Sequence, residues 1–225
     1  LAVDQQDGRV VVAGSTSGGS WISGGHETTF QGGGSDAFVA VLAPATGDFS
    51  WSSYVGGVGA DAALGVDVDS NGDLLVAGWT EHVGWGGLSQ GVEAVRTSFV
   101  AKLASNGSAR TWATLFGATA GGPTSGGASG GSANALAVKP NGEVFVAGWT
   151  TTGGWTTSGL DDRLDGSKDA YVAALDGTGA LKWSSYLGGT NVDLGKGIAL
   201  GPGDAVYVAG TSESGGWLAG GSDVS

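Results

Sequence analysis

One block of four phrases recurs in order along this chain, and no other feature restricts its fold as tightly. In its fullest form it runs Val144-Phe-Val-Ala-Gly-Trp-Thr150, Gly153-Gly-Trp155, Asp169-Ala-Tyr-Val-Ala-Ala-Leu175 and Leu181-Lys-Trp-Ser-Ser-Tyr-Leu-Gly-Gly189. Upstream copies begin at Val10-Val-Val-Ala-Gly14 and Leu74-Leu-Val-Ala-Gly78, and a shortened one at Val206-Tyr-Val-Ala-Gly210. The Val before each Ala-Gly falls at 12, 76, 146 and 208, and the loop Trp at 21, 85, 155 and 217. Both series step by 64, 70 and 62 residues. Two markers that drift together mean duplication of a whole unit with loop insertions, which decides the architecture before any local propensity does.

Each unit holds four runs of strand length. Asn-Gly and Asp-Gly turns (Gln6-Asp-Gly8, Ser70-Asn-Gly72, Pro140-Asn-Gly142) separate the first run from the second, and such turns supply the positive φ of tight hairpins. A second turn set (Ala45-Thr-Gly47, Ser105-Asn-Gly107, Gly177-Thr-Gly179) separates the third from the fourth. The first runs are read as 1–3, 64–68, 135–138 and 197–200. The second and third runs are apolar almost without alternation, which predicts strands covered on both faces by neighbouring sheets. No stretch of ten or more residues has helical periodicity. The expected fold is all-β: a β-propeller of four-stranded antiparallel blades, about three and a half repeats long. Residues 1–225 form one repeat region, with units of approximately 1–57, 58–117, 118–189 and an incomplete 190–225. Counting runs gives four first, four second, three third and three fourth strands. The second strand of the last unit is therefore expected to carry an unpaired, partner-recruiting edge.

Glycine contributes 47 of 225 residues, but Pro only 4 against 9 Trp, so the glycines punctuate strands rather than fill a disordered tract. A formal charge of −12 with only 9 Lys plus Arg argues against nucleic acid and anionic membrane as partners. There is no Cys for disulfides or thiolate chemistry, and no apolar run long enough to span a bilayer. With no Met in the chain, Leu1 is not a translation start, and a processed product or a piece of something longer is expected.

Asp36-Ala-Phe-Val-Ala-Val-Leu42, Trp183-Ser-Ser-Tyr-Leu-Gly-Gly189, Asp193 ahead of Gly197-Ile-Ala-Leu200, and Val206-Tyr-Val-Ala-Gly-Thr211 resemble the bacterial β-propeller repeats known as SBBP repeats. The resemblance covers nearly the whole chain. These units are longer than that family's pattern, chiefly around Gly-Gly-Trp and in 118–132. The resemblance implies an exported or cell-surface propeller and carries no catalytic residues over.

The chemistry-bearing candidates are few. Asp67, Asp69, Asn71 and Asp73 lie in a D-x-D-x-N-G-D run, the opening of a calcium loop. The ligand five residues further on would be Gly78, so an Asx-stabilised turn is the stronger reading and no cofactor is expected. Gly127-Ala-Ser-Gly-Gly131 matches G-x-S-x-G only on paper, because the strand–turn–helix context is missing. His26 and His82 sit in equivalent long loops but share no spacing with carboxylates or with each other that points to a metal or a triad. Trp51, Trp112 and Trp183 sit inside strands and are read as core. Trp21, Trp85, Trp155 and Trp217 lie in Gly-flanked loops, where they either cap their own unit or offer platforms for glycans or subunits. Asn106-Gly-Ser108 is a glycosylation sequon in an exposed turn.

These features favour a non-enzymatic extracellular or cell-surface scaffold, an oligomer or filament subunit whose partners are other copies or missing blades. Carbohydrate binding through the Gly-Gly-Trp loops is the alternative, and a polysaccharide-acting enzyme ranks third.

Overall fold

The computed structural model of the protein describes residues 1–81, 96–117 and 130–216. Trp85, Trp217, His82 and the Gly220–Asp223 stretch lie outside them, as does most of 127–131. The described chain forms fourteen strands. The first unit holds β1 (Ala2–Val3), β2 (Val10–Thr16), β3 (Asp36–Leu42) and β4 (Phe49–Val55). The second holds β5 (Asp61–Val68), β6 (Leu74–Thr80), β7 (Thr97–Leu103) and β8 (Arg110–Phe116). The third holds β9 (Gly131–Val138), β10 (Val144–Thr150), β11 (Asp169–Leu175) and β12 (Leu181–Leu187). The fourth holds β13 (Asp193–Leu200) and β14 (Val206–Ser212), joined by a 3₁₀ turn at Pro202–Asp204. Each unit is one antiparallel meander, giving three four-stranded sheets and one two-stranded sheet.

The first strands of units two to four start three or four residues earlier than the sequence pattern suggests, because each contains a bulge. Register shifts fall between Ala63 and Gly65, between the pairs of Ala147 and Gly148, and between Gly195 and Gly197. The extra residues, Leu64, Asn134 and Lys196, break the period-2 alternation by which a strand is recognised. The bulge also explains the repeated Ala-Gly. Opposite it, the carbonyls of Ala62, Ser132 and Leu194 occupy the space where a Cβ on Gly78, Gly148 or Gly210 would stand. Only glycine admits that close approach.

The sheets stack face to face. The first strand of each unit lies against the second and third strands of the unit before it: β5 on β2 and β3, β9 on β6 and β7, β13 on β10 and β11. Successive first strands also adjoin one another, so they gather along one side of the stack. Among the described residues the first and fourth units share no comparable contact. Strand β6 shows why its pattern does not alternate. Leu74 and Val76 enter the core shared with the first unit, while Leu75 and Ala77 enter the core shared with the third. Both faces are dry.

Candidate functional site

The functional geometry lies at the junctions between units. Trp51 on β4 donates its indole N–H to the Ser105 carbonyl in the next unit's turn at 3.3 Å, and its ring stands where a Cβ on Gly107 would be. Trp112 on β8 repeats the contact one unit on, donating to the Gly177 carbonyl at 3.1 Å with its ring over Gly179. Thr114 adds a hydroxyl bond to the Gly179 carbonyl at 2.6 Å. Trp51 is buried in the core as expected and also reaches the following unit, whereas Trp112 and Trp183 are half-buried, so the core reading is corrected for these two: Trp112 is a clasp on the following unit, and Trp183 meets Phe145 of its own unit. The hairpin turns are linked likewise, Gln6 to the Ser70 carbonyl, Ser70 to the Pro140 carbonyl and Lys139 to Asp204. Three successive turns thereby enclose a hollow of about 190 Å³.

Of the loop tryptophans, Trp155 packs between its own unit's Tyr171 (5.1 Å) and Tyr186 (5.9 Å) and Phe116 of the unit before (5.9 Å). Its indole nitrogen is enclosed, so this residue caps the core and offers no flat platform. Trp21 occupies the same position on the first unit, where none of the other described sheets covers it. It meets Phe38 edge-to-face at 4.9 Å and Phe49 at 5.8 Å, and remains 37% exposed.

The acidic run holds an ammonium of the protein's own. Asp69 Oδ2 and Asp73 Oδ2 lie 2.8 and 3.2 Å from Lys102 Nζ. Asp69 Oδ1 accepts the Asn71 and Asp73 amides, which is the Asx turn expected of this spacing. Asp67 diverges, accepting the Val138 amide of the third unit, and the Asn71 side chain is exposed. Lys102 balances the charge of Asp69 and Asp73, while Asp67 and Asn71 do not turn toward them. Among the described residues no three His, Asp or Glu side chains converge as metal ligands.

Between the first and second units opens a cleft of about 280 Å³, lined by His26, Glu27, Gln31, Tyr54, Val58 and Arg110. Burial pulls the Arg110 guanidinium below its ordinary value, partly offset by Glu27. At the same junction lie two buried carboxyls that sequence reasoning missed. Asp61 is fully buried, accepts the Gly57 amide at 2.9 Å, and is pushed up to about 7 by burial, with Asp36 and Glu81 adding to the rise. Asp36 is raised by burial as well. Their counterparts, Asp169 and Asp193, recur at the third-to-fourth junction, with Asp169 raised first by burial and then by Asp193. At the middle junction the same positions are Thr97 and Gly131. The signal available in the sequence was the Asp that opens the third strand of units one and three and the first strand of units two and four.

Asn106 is exposed, its side-chain oxygen accepting the Ser108 amide at 3.0 Å. No helix among the described residues is long and apolar enough to cross a membrane.

No protein-family model matches this chain, and no curated protein does. Among solved structures, BamB from Moraxella catarrhalis is similar at 15% identity with a TM-score of 0.31. The match covers 84% of this chain but 56% of BamB, so the chain spans little more than half of that protein. A likeness of that size leaves the fold to rest on the sheets themselves.

Proposed function

We propose that this chain is a non-enzymatic β-propeller region of the SBBP-repeat type, extracellular or cell-surface, acting as a structural scaffold for assembly. The observation that carries the reading is that each of the first three units is covered by the first strand of the next. Both faces of β6 and β7 are dry, first strands gather on one side, and tryptophan clasps tie the first unit to the second and the second to the third. A stack whose units close only on one another is built to hold surfaces in register rather than to reshape a substrate. Its partners are other copies or further blades. Light scattering across protein concentrations, with electron microscopy of what forms, tests the assembly role: rings or filaments support it, and a strictly monomeric species at high concentration refutes it. Turnover of a polysaccharide would refute the non-enzymatic part. A second reading, carbohydrate binding, is favoured only by the open ring of Trp21. Glycan titration followed by tryptophan fluorescence, with Trp21→Ala as control, decides it.

A further inference from the structure

We propose that the long loop after the second strand is a strap that closes the outer edge of its sheet, and that the partner it keeps off is the same edge of a second copy of this chain. This goes beyond the scaffold reading, because it names a surface withheld from association rather than one offered to it.

Strands β4 and β12 are the last of their sheets. A bare strand edge presents amides and carbonyls that pair with another chain. In both units that edge is taken. The Ser52 and Tyr54 amides donate to the carbonyls of Ser23 and Glu27, each at 2.8 Å, and the Ser184 and Tyr186 amides to those of Thr157 and Asp161 at 2.8 and 3.0 Å. The hydroxyls of the recurring Trp-Ser-Ser-Tyr phrase complete the seam. Ser52 and Ser53 Oγ accept the Ser23 and Glu27 amides, and Ser184 and Ser185 Oγ accept those of Thr157 and Asp161, all at 3.0 Å. The tyrosine hydroxyls hold the start of each loop, Tyr54 donating to the Gly19 carbonyl at 3.1 Å and Tyr186 to the Thr152 carbonyl at 2.9 Å. All four serines are buried.

The two straps, Ser23-Gly-Gly-His-Glu27 and Thr157-Ser-Gly-Leu-Asp161, differ in most residues but follow one pattern. The second residue is left-handed, Gly24 at φ 76 and Ser158 at φ 55. The third is glycine, because a Cβ on Gly25 or Gly159 would stand 2.4 or 2.1 Å from the Ser52 or Ser184 carbonyl oxygen. The last is acidic, and its carboxylate accepts the amide two residues on, Thr29 or Arg163, at 3.0 Å. The loop advances four residues while the strand advances two, so His26 and Leu160 bulge into solvent. No further strand can lie where this bulged loop holds both amides and covers the carbonyl between them. The second unit's loop lies outside the described residues.

The test places Gly25→Val and Gly159→Val together in the full 225-residue chain, which forces both straps off the strand carbonyls. Amide-resolved hydrogen exchange is read beside light scattering and amyloid-dye fluorescence. Protection of the Ser52, Tyr54, Ser184 and Tyr186 amides is expected to fall about tenfold. Concentration-dependent association with dye binding should then appear beyond that of the unsubstituted chain. Adding Ser52→Pro and Ser184→Pro, which removes edge donors and spares the ladders to β3 and β11, should abolish the added association. Ser53→Ala with Ser185→Ala leaves the backbone untouched and should give the same changes to a smaller degree; it decides the matter if the valine variant loses its fold by circular dichroism. Exposed amides without added association, added association that survives the prolines, or unchanged protection overturns the proposal. Association of the unsubstituted chain tests the scaffold reading separately, because each comparison here is made against that chain.

Discussion

Strands β10 and β14 carry nearly the same phrase, Val-Phe-Val-Ala-Gly-Trp-Thr and Val-Tyr-Val-Ala-Gly-Thr-Ser, yet they live in opposite environments. Six of the seven residues of β10 are buried, and none of β14. Both pair with a bulged first strand in the same register. The phrase therefore specifies the strand and its bulge, and the neighbouring sheets specify whether it is dry. Stability in such an array resides at junctions and is shared between adjacent units.

The largest test of that contrast compares one position in the two strands. Phe145 is 3% exposed, lies beside Trp183, and has Lys139 Nζ 4.8 Å above its ring. Its counterpart Tyr207 is 60% exposed and rests on Gly201. Phe145→Ala should cost about 3–5 kcal/mol in urea unfolding, the range for a buried aromatic, and Tyr207→Ala less than about 1 kcal/mol. Equal costs would mean that β14 is as enclosed as β10.

The second test moves inward, to Asp61 between two complete sheets. Burial raises this carboxyl to about 7 from its ordinary 3.8. The folded chain thus holds the proton more tightly than the unfolded one. The stability this contributes is complete below about pH 4 and is lost as pH rises through about 7. Asp61→Asn, which keeps the shape without the charge, should raise stability at pH 8 by a few kcal/mol at most, on the order set by 1.4 kcal/mol per pH unit. Near pH 4 the two proteins should match. Paired urea titrations at the two pH values measure it, and an equal gain at both would remove Asp61 ionisation as the cause.

The contrast between β10 and β14 also marks how far the sequence could be read. All fourteen strands and the dry faces of β6, β7, β10 and β11 were legible, because Asn-Gly and Thr-Gly turns and unbroken apolar runs are local signals. The starts of β5, β9 and β13 were not. Asp61-Ala-Ala, Gly131-Ser-Ala and Asp193-Leu-Gly have weak β-propensity and are held extended by pairing across the bulge. The clasps were hidden for a different reason. Trp51 meets a carbonyl 54 residues away and Trp112 one 65 away, so nothing beside either residue separates a clasp from plain core. The Asp36–Asp61 pair escaped likewise, since two sheets must stack before either carboxyl is buried.

A smaller effect separates Trp112, whose indole holds the next unit's turn, from Trp183, which meets Phe145 of its own unit. Trp112→Ala removes the hydrogen bond to the Gly177 carbonyl and the ring over Gly179, and should cost about 2 kcal/mol for a half-buried indole. Among the described residues Trp183→Ala loses the ring contact with Phe145 and should cost less than about 1 kcal/mol. Urea midpoints of the two variants give the comparison. If the order reverses, more than its contact with Phe145 holds Trp183.

The smallest effect sits in the turn that leads into β14. The tight turns of the first three units place Gly8, Gly72 and Gly142 at positive φ. In the fourth, Gly203 at φ 66 is followed by Asp204 at φ 65, a left-handed conformation that disfavours a side chain. Asp204 also bonds Lys139 across the junction at 2.7 Å, but it is 84% exposed and Lys139 retains Glu143 at 3.3 Å. An exposed ion pair with a ready replacement contributes little, whereas the left-handed backbone is a standing cost. Relief of strain should therefore win. Asp204→Gly is expected to raise Tm by about a degree and leave Tyr207→Ala additive with it. A fall in Tm would show that the Lys139 contact, and with it the last junction, holds more tightly than the exposure of β14 suggests.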